Sequence, residues 1–197
     1  MKVIGVTGGI GCGKSAVVNY LRELGAQTLD ADFTAREVVE PGNPALQEII
    51  YEFGNNVVTT SGHLDRTKLG NIVFNKKEKL DILNGIMHKY IVEHIISAIE
   101  REKQAGKTKV FVIEAAIPLE HGFLDMADQI WTVVCDEEIR INRIIQRNGI
   151  SREKALSIIN SQLSVKQYIE LSNVVIENNG SLEQLKVLVD KAFKQFI

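Results

Sequence analysis

Short apolar runs alternate with amphipathic stretches along this chain of 197 residues. Four runs are short, apolar and bounded by polar residues or glycine, as buried strands are. They cover residues 3–6, 110–113, 130–135 and 174–176, and residues 27–30 are expected to form a further short strand. The alternation with helical segments predicts a three-layer α/β/α fold, with a five-stranded parallel sheet covered by helices on both faces.

Apolar residues three and four apart predict the helices between these strands. Helices are expected over residues 17–24, 33–39, 46–53, 64–74, 78–104 and 137–148, and after residues 151 and 181. Asn84-Gly85 is a possible interruption of the longest one. Ser151 and Ser181 precede the last two helices and are residues that cap helix N-termini well.

The segment Gly8 to Ser15, GGIGCGKS, fits the pattern G-x-x-x-x-G-K-[ST] between the first predicted strand and a helix. That context is typical of a loop that binds nucleotide phosphates through backbone N–H groups, which glycines bring close to the ligand. The following helix N-terminus adds partial positive charge. Lys14 is expected to reach the β- and γ-phosphates, and the Ser15 hydroxyl to bind Mg²⁺.

The composition of the chain limits the classes of partner that such a loop can bind. A net charge of −2 gives no indication of non-specific binding to nucleic acid or to anionic membranes. No apolar run is long enough to cross a bilayer, and the two cysteines, Cys12 and Cys135, form no disulfide framework. We therefore expect a cytoplasmic protein that binds small molecules, with no nucleic-acid or membrane partner and no indication of an obligate protein partner.

Candidate acids follow two of the predicted strands, at the sheet edge where ligands of parallel sheets bind. Asp30 and Asp32 are two apart, so both can point to the same side if the extended geometry persists. One could hold Mg²⁺ through water and the other accept a proton from an attacking hydroxyl. Alternatively, Asp32 is the N-cap of the next helix. Glu114 either assists a metal or only solvates its strand end.

A row of basic residues follows the fourth strand. Arg140, Arg143 and Arg147 share one helix face at spacings of three and four, Arg152 follows closely, and no paired acids are interspersed. Such a row suits a lid that closes on phosphates, because guanidinium groups bind phosphate bidentately. The alternative is a plain solvated face. A GTPase is disfavoured because the chain has no Asn-Lys-x-Asp stretch.

Nearly the whole chain resembles the dephospho-coenzyme A kinase family. The similar segments are VIGVTGGIGCGKS, with Cys12 where serine is common, DADFTAREVVEPGNPAL, LDRTKLGNIVFN with the segment through His88, Ser161-Gln162 after the arginines, and VIENNGSLEQL. The chain departs from the family's usual pattern at Lys89, at Glu120 to Gly122 and at Ser172-Asn173.

The resemblance implies ATP- and Mg²⁺-dependent phosphorylation of the ribose 3′-hydroxyl of dephospho-coenzyme A. Another nucleoside or nucleotide kinase is the alternative, and an ATP-bound regulatory domain is a weaker one. The resemblance also implies a single P-loop kinase domain. Its nucleotide-binding core covers about residues 1–40, 107–136 and 171–197, a helical acceptor-binding insertion about 41–106, and a helical lid about 137–170.

Roles for individual residues follow from the loop pattern and the resemblance together. The expected catalytic residues are Asp32, which acts as general base, Lys14 and Arg143. The expected metal ligand is Ser15. The expected ATP contacts are Gly8, Gly9, Ile10, Gly11, Cys12, Gly13, Lys14, Ser15, Ala16, Arg147, Asn179 and Gly180, and the turn at Asn178 to Gly180 is expected near the adenine. The expected acceptor contacts are Asp32, Arg36, His88, Pro118 and Leu119.

Cys12 lies within the loop, two residues from Lys14 and at a helix N-terminus. Both neighbours favour thiolate, so its pKa is expected below the ~8.5 of a free cysteine. We expect it to react with thiol reagents faster than Cys135 and to be protected by ATP.

Overall fold

The computed structural model describes residues 1–74, 76–116 and 126–197. Its sheet has five strands in the order β2-β3-β1-β4-β5, and every neighbouring pair is parallel. The strands are β1 (Lys2–Thr7), β2 (Gln27–Asp30), β3 (Val110–Glu114), β4 (Gln129–Val134) and β5 (Val174–Glu177). The predicted fold class is confirmed.

Strand register decides which residues meet at the carboxyl edge of the sheet. Val6 of β1 lies opposite Glu114 of β3, and Asp30 of β2 lies opposite the same glutamate. On the other side, Thr7 lies opposite Thr132 of β4. The loop that follows β1 therefore leaves the middle of the sheet, beside the end of β3.

Nine α-helices lie within the described ranges. They are α1 (Lys14–Glu23), α2 (Ala31–Glu37), α3 (Pro44–Phe53), α4 (Arg66–Val73), α5 (Lys77–Ala105), α6 (Glu137–Asn148), α7 (Arg152–Asn160), α8 (Val165–Glu170) and α9 (Leu182–Phe196). Ser151 and Ser181 cap α7 and α9 as predicted, and Ser181 forms a capping box with Gln184.

Helix α5 runs without a break, so the possible interruption at Asn84-Gly85 is wrong. A glycine inside a helix costs only about 1 kcal/mol relative to alanine. Burial of Ile86, Ile91 and Ile95 on the same helix outweighs that cost, because each fully buried side chain contributes about 1.5–3 kcal/mol.

The chain divides into two compact units. One consists of Met1–Asp30 and Ile99–Ile197 and contains the whole sheet; the other is Ala31–Ala98. The second unit includes most of the predicted insertion at about 41–106, and the role of that segment in acceptor binding stays a prediction. The predicted core and lid segments likewise stay predictions.

One buried cluster of the sheet unit packs the strands against α1 and α9. Trp131 of β4 is fully buried, and the ring of Phe196 from α9 meets it edge-on with the ring centres 6.3 Å apart. Val17, Val18 and Leu21 of α1 belong to the same buried cluster. This packing fixes α1 at the end of β1, so the loop between them is held at both ends.

In the helical unit, Ala45, Leu46 and Ile49 of α3 are buried. Glu48 on α3 accepts hydrogen bonds of 2.7 Å from Tyr90 Oη and 3.0 Å from Lys89 Nζ, which tie α3 to α5. No helix in the described part of the chain is long and apolar enough to span a membrane.

Candidate active site

The loop between β1 and α1 turns tightly before the helix begins at Lys14. Gly11 and Gly13 have φ of 80° and 94°, in the left-handed region that favours glycine. A Cβ atom at Gly13 would also overlap the Asn178 side-chain nitrogen. Both backbone conformation and lack of space therefore require glycine at position 13.

Side chains distant in sequence hold three successive carbonyl groups of this loop. The Ile10 oxygen accepts from Arg140 Nε at 3.1 Å, the Gly11 oxygen from Arg143 Nη1 at 3.3 Å, and the Cys12 oxygen from Asn178 Nδ2 at 2.8 Å. A carbonyl bonded to these surrounding side chains cannot also point at a phosphate. The bonds therefore keep the negative end of each peptide away from an anionic ligand.

The predicted row of arginines occupies three different environments. Arg140 is buried against the loop, Arg143 is half-buried, and Arg147 is exposed and donates to Asn148 Oδ1 at 2.8 Å. The role of the row in a lid stays a prediction, and Arg152 binds Glu138 through Nη1 at 2.9 Å. The α6 helix packs on the loop with its arginine face, so burial differs from turn to turn.

Lys14 and Ser15 project from the first turn of α1. Lys14 Nζ donates to the Gly8 carbonyl at 2.9 Å, and Ser15 Oγ donates to Glu114 Oε1 at 2.9 Å. Glu114 thus contacts the residue predicted to bind the metal, which favours the metal-associated interpretation over a merely solvated strand end.

The Ser15–Glu114 pair fits the ligand chemistry of Mg²⁺. This ion takes oxygen ligands at about 2.0–2.1 Å in an octahedron, whose neighbouring ligands are about 3 Å apart, and it keeps waters and substrate phosphates as further ligands. In the described ranges no cluster of three or more His, Cys, Asp or Glu residues could hold a metal alone. The donor set therefore suits an ion that arrives with nucleotide.

Asp32 lies in the first turn of α2 and is exposed. Strand β2 ends at Asp30 and the helix begins at Ala31, so the extended geometry that was expected to align Asp30 with Asp32 does not persist. The N-cap alternative is also wrong, because Asp32 is inside the helix. Arg36, four residues on, shares its helix face and is also exposed.

His88 is half-buried on α5, and its Nε2 atom is buried with no hydrogen-bond partner among the described residues. A buried polar atom in that condition costs free energy unless a ligand or water satisfies it. Pro118 and Leu119, the other two expected acceptor contacts, lie outside the described residues.

The turn after β5 contacts both the phosphate loop and Asp136, the residue just before α6. Asn178 is buried under the loop, whereas Asn179 and Gly180 are exposed. Asn179 accepts from the Asp136 backbone N–H at 2.8 Å and donates to the Asp136 carboxylate at 3.0 Å. Its predicted contact with adenine stays a prediction.

Cys12 is only 2% exposed and Cys135 only 8%, and both belong to the core of the sheet unit. The Cys12 side chain points into the core, and the predicted reactivity of its thiol and its protection by ATP stay predictions. Its pKa is nevertheless lowered to about 6, as predicted in direction. The main cause is a hydrogen bond with Cys135; the charges of Arg140 and Lys14 also lower the pKa, while burial opposes them.

Comparison with known proteins decides the family. The family model described as dephospho-CoA kinase matches residues 2–184. The chain belongs to the dephospho-CoA kinase family. The chain is 40% identical over 186 residues to the dephospho-CoA kinase of Carboxydothermus hydrogenoformans, covering 94% of this chain and 90% of that one.

Solved structures share the fold, and one of them is a dephospho-CoA kinase. The crystal structure of TT1252 from Thermus thermophilus superposes with a TM-score of 0.82 at 28% identity, covering 100% of this chain and 98% of that one. The dephospho-CoA kinase from Campylobacter jejuni gives 0.73 at 26% identity, with the same coverage of both chains.

Sequence reasoning missed three residues that this dephospho-CoA kinase family member places around its loop. Arg140 was expected on a lid face, Asn178 near adenine, and Gln162 had no role. Gln162 Oε1 accepts from the Ile10 N–H at 2.8 Å. Their only sequence signals were the arginine spacing, the turn residues and the family's Ser161-Gln162. None of these signals indicates that the side chains contact the phosphate loop.

Proposed function

We propose that this chain transfers the γ-phosphoryl group of ATP to the ribose 3′-hydroxyl of dephospho-coenzyme A, giving coenzyme A and ADP. The family match over residues 2–184 carries the proposal. The loop geometry supports the ATP half of the reaction, since a glycine-rich turn leads directly into the N-terminus of α1.

ATP binds with its phosphates along residues 8–16. The N–H groups at the start of α1 and the Lys14 ammonium supply positive charge to the β- and γ-phosphates. Arg143 and Arg147 add charge from α6, and the exposed Asn179 and Gly180 contact adenine. The transition state of phosphoryl transfer spreads charge over the equatorial oxygens, so positioned cations supply most of the catalysis.

Ser15 Oγ and the Glu114 carboxylate are the protein groups that would hold Mg²⁺. When bound, the ion neutralises charge on the β- and γ-phosphates. The Ser15 hydroxyl donates its hydrogen to Glu114, so its oxygen lone pairs would be available to the ion. The bond to Glu114 would keep that hydroxyl oriented.

Asp32 acts as general base. Its carboxylate, exposed in the first turn of α2, accepts the proton of the 3′-hydroxyl as that oxygen attacks the γ-phosphorus and the bond to the β-phosphate oxygen breaks. Arg36 lies one turn further along the same helix face and binds an anionic group of the acceptor.

The buried Nε2 atom of His88 supports an acceptor contact in the helical unit. A hydroxyl, amide or phosphate oxygen of dephospho-coenzyme A can supply the partner that this nitrogen requires. Pro118 and Leu119 complete the proposed acceptor contacts. The reaction is placed in the cytoplasm, where free thiols such as Cys12 and Cys135 stay reduced.

An acceptor screen tests the proposal. Purified protein with ATP and Mg²⁺ is incubated in turn with dephospho-coenzyme A, adenosine, AMP and shikimate, and the phosphorylated product is identified by mass spectrometry. Dephospho-coenzyme A should have the highest kcat/KM, and Lys14→Met should abolish turnover of every acceptor. A clear preference for another acceptor would replace the assignment by a different nucleoside or nucleotide kinase.

A further inference from the structure

Ile10, in the middle of the phosphate loop, is held through both polar groups of its backbone. Its N–H donates to Gln162 Oε1 at 2.8 Å, and its carbonyl accepts from Arg140 Nε at 3.1 Å. Arg140 Nη2 also donates to the same Gln162 oxygen at 3.4 Å. The three residues form a closed ring of hydrogen bonds.

The Ile10 side chain is anchored by the same part of the chain. It packs against a buried apolar cluster formed by α6 and α7, whose members are Ile141, Ile144, Ala155 and Ile159. A Cβ atom at Gly11 would stand only 3.1 Å from the Ile144 side chain. The polar ring and the apolar cluster therefore fix the loop against α6 and α7, in the segment expected to form a lid.

Arg140 is charged but only 4% exposed, and charged side chains are rarely buried to this extent. Among the described residues no carboxylate forms an ion pair with it. A buried charge is costly unless its donors are satisfied, and here they are directed to the loop backbone and to Gln162. A Cβ atom at Gly9 would overlap the same guanidinium.

We propose that Arg140 and Gln162 are positioning residues that fix Ile10 and so set the phosphate loop for the phosphates of ATP. The first turns of α6 then form a fixed wall of the nucleotide site, and closure of a lid begins beyond them. The inference rests on the proposed function only in taking a nucleoside phosphate as the ligand of the loop.

Gln162→Met tests it, because methionine fills a similar volume without a strong acceptor. The Kd of ADP should rise about tenfold, the equivalent of about 1.4 kcal/mol, while the Kd of adenosine, which has no phosphate, should not change. In turnover, the KM for ATP should rise and kcat at saturating ATP should fall less. Gln162→Glu keeps an oxygen that accepts both bonds beside Arg140 and should retain most of the ADP affinity.

Asn173→Leu is the matched control. Asn173 Oδ1 accepts a hydrogen bond of 2.7 Å from the Ile130 backbone at the opposite end of β4, so the variant removes a similar bond from the same unit. It should lower Tm without changing the Kd of ADP. An ADP Kd within twofold of wild type in Gln162→Met would overturn the proposal, as would equal losses for ADP and adenosine or for the Met and Glu variants. These binding results do not depend on which acceptor is phosphorylated.

Discussion

Asn178 donates a hydrogen bond of 2.8 Å from its side-chain nitrogen to the Cys12 carbonyl, joining groups that are 166 residues apart in the sequence. Asn178 is only 6% exposed. Removing the donor leaves this buried carbonyl with only the long bond of 3.5 Å from Arg143 Nη1, at a cost of about 1–3 kcal/mol. Asn178→Ala should therefore lower the free energy of unfolding by that amount in denaturant titrations.

The neighbouring Asn179→Ala is the control for this stability measurement. Asn179 is exposed, so water can replace its bonds to Asp136, and the loss should stay within about 0.5 kcal/mol. Equal losses of unfolding free energy in the two variants would show that the bond to the Cys12 carbonyl stabilises the fold no more than an exposed bond does.

Arg143 and Arg147 should differ when each is changed to alanine. Arg143 donates to the Gly11 carbonyl and, at 3.1 Å, to the Asn178 carbonyl, so its loss should lower both Tm and kcat/KM. Arg147 is exposed, so Arg147→Ala should leave Tm unchanged and lower kcat/KM about tenfold or more. Wild-type kcat/KM in Arg147→Ala would remove this arginine from the transfer step.

Asp32→Asn should lower kcat about 10²–10⁴-fold, the usual contribution of a positioned general base. The KM for ATP should change little, because the lost carboxylate acts on the acceptor hydroxyl. Asp81→Asn changes another exposed aspartate of the helical unit and should keep wild-type kcat. Full activity in Asp32→Asn would move the base to Asp30 or Glu114.

Glu114→Gln separates charge from hydrogen bonding at the proposed metal site. The amide oxygen can still accept from Ser15, but the negative charge that attracts Mg²⁺ is lost. The Mg²⁺ concentration for half-maximal activity should rise about tenfold. Asp128→Asn is the control, because Asp128 accepts a hydrogen bond of 2.7 Å from Val3 at the other end of β1. An unchanged Mg²⁺ requirement in Glu114→Gln would exclude a role of its charge.

Cys12 should make stability depend on pH. Its pKa is about 6 in the folded chain against an ordinary 9.0, so folding favours the thiolate. The stabilisation is fully present above about pH 9 and is lost as the pH falls through about 6. Stability of the wild type relative to Cys12→Ser should rise across that window, by at most about 1.4 kcal/mol per pH unit. A pH-independent difference would show that Cys12 stays protonated.

The pKa of Cys135 is shifted the other way. Its hydrogen bond with Cys12 and its burial raise the pKa, so Cys135 stays a neutral thiol across this window. Its contribution to stability declines only above the ordinary value of 9.0, as the unfolded chain loses its proton. The rise between about pH 6 and pH 9 therefore belongs to Cys12.

The strands and the phosphate loop were predictable because their signals are local. Apolar runs of strand length, and glycines with Lys14 and Ser15 between a strand and a helix, are legible within a few residues. The environment of Arg140 was not predictable, because helix spacing shows which residues lie on one face of the helix but not which other part of the chain packs against that face. The burial of the Cys12 thiol beside Cys135 was not predictable for the same reason, since Cys135 follows a different strand.

The geometry at Asp32 failed at a boundary between elements. Its prediction needed the chain to stay extended past Asp30, and the chain instead enters α2 at once. The position of an element boundary is the least certain part of any pattern reading. Gln162 shows a different limit, because a polar side chain near a helix end has no periodic signal for a partner such as Ile10.

The supports of the phosphate loop set an order of events during synthesis. The loop leaves the ribosome before the side chains that hold Ile10, Gly11 and Cys12, which come from positions 140, 143, 162 and 178. Chains are completed from the N-terminus at about 5–20 residues per second, so the loop waits roughly ten seconds or more for its last support. A nascent chain therefore completes the supports of its nucleotide site only once residue 178 has been made, and ATP can stabilise the chain from then on but not its earlier fragments.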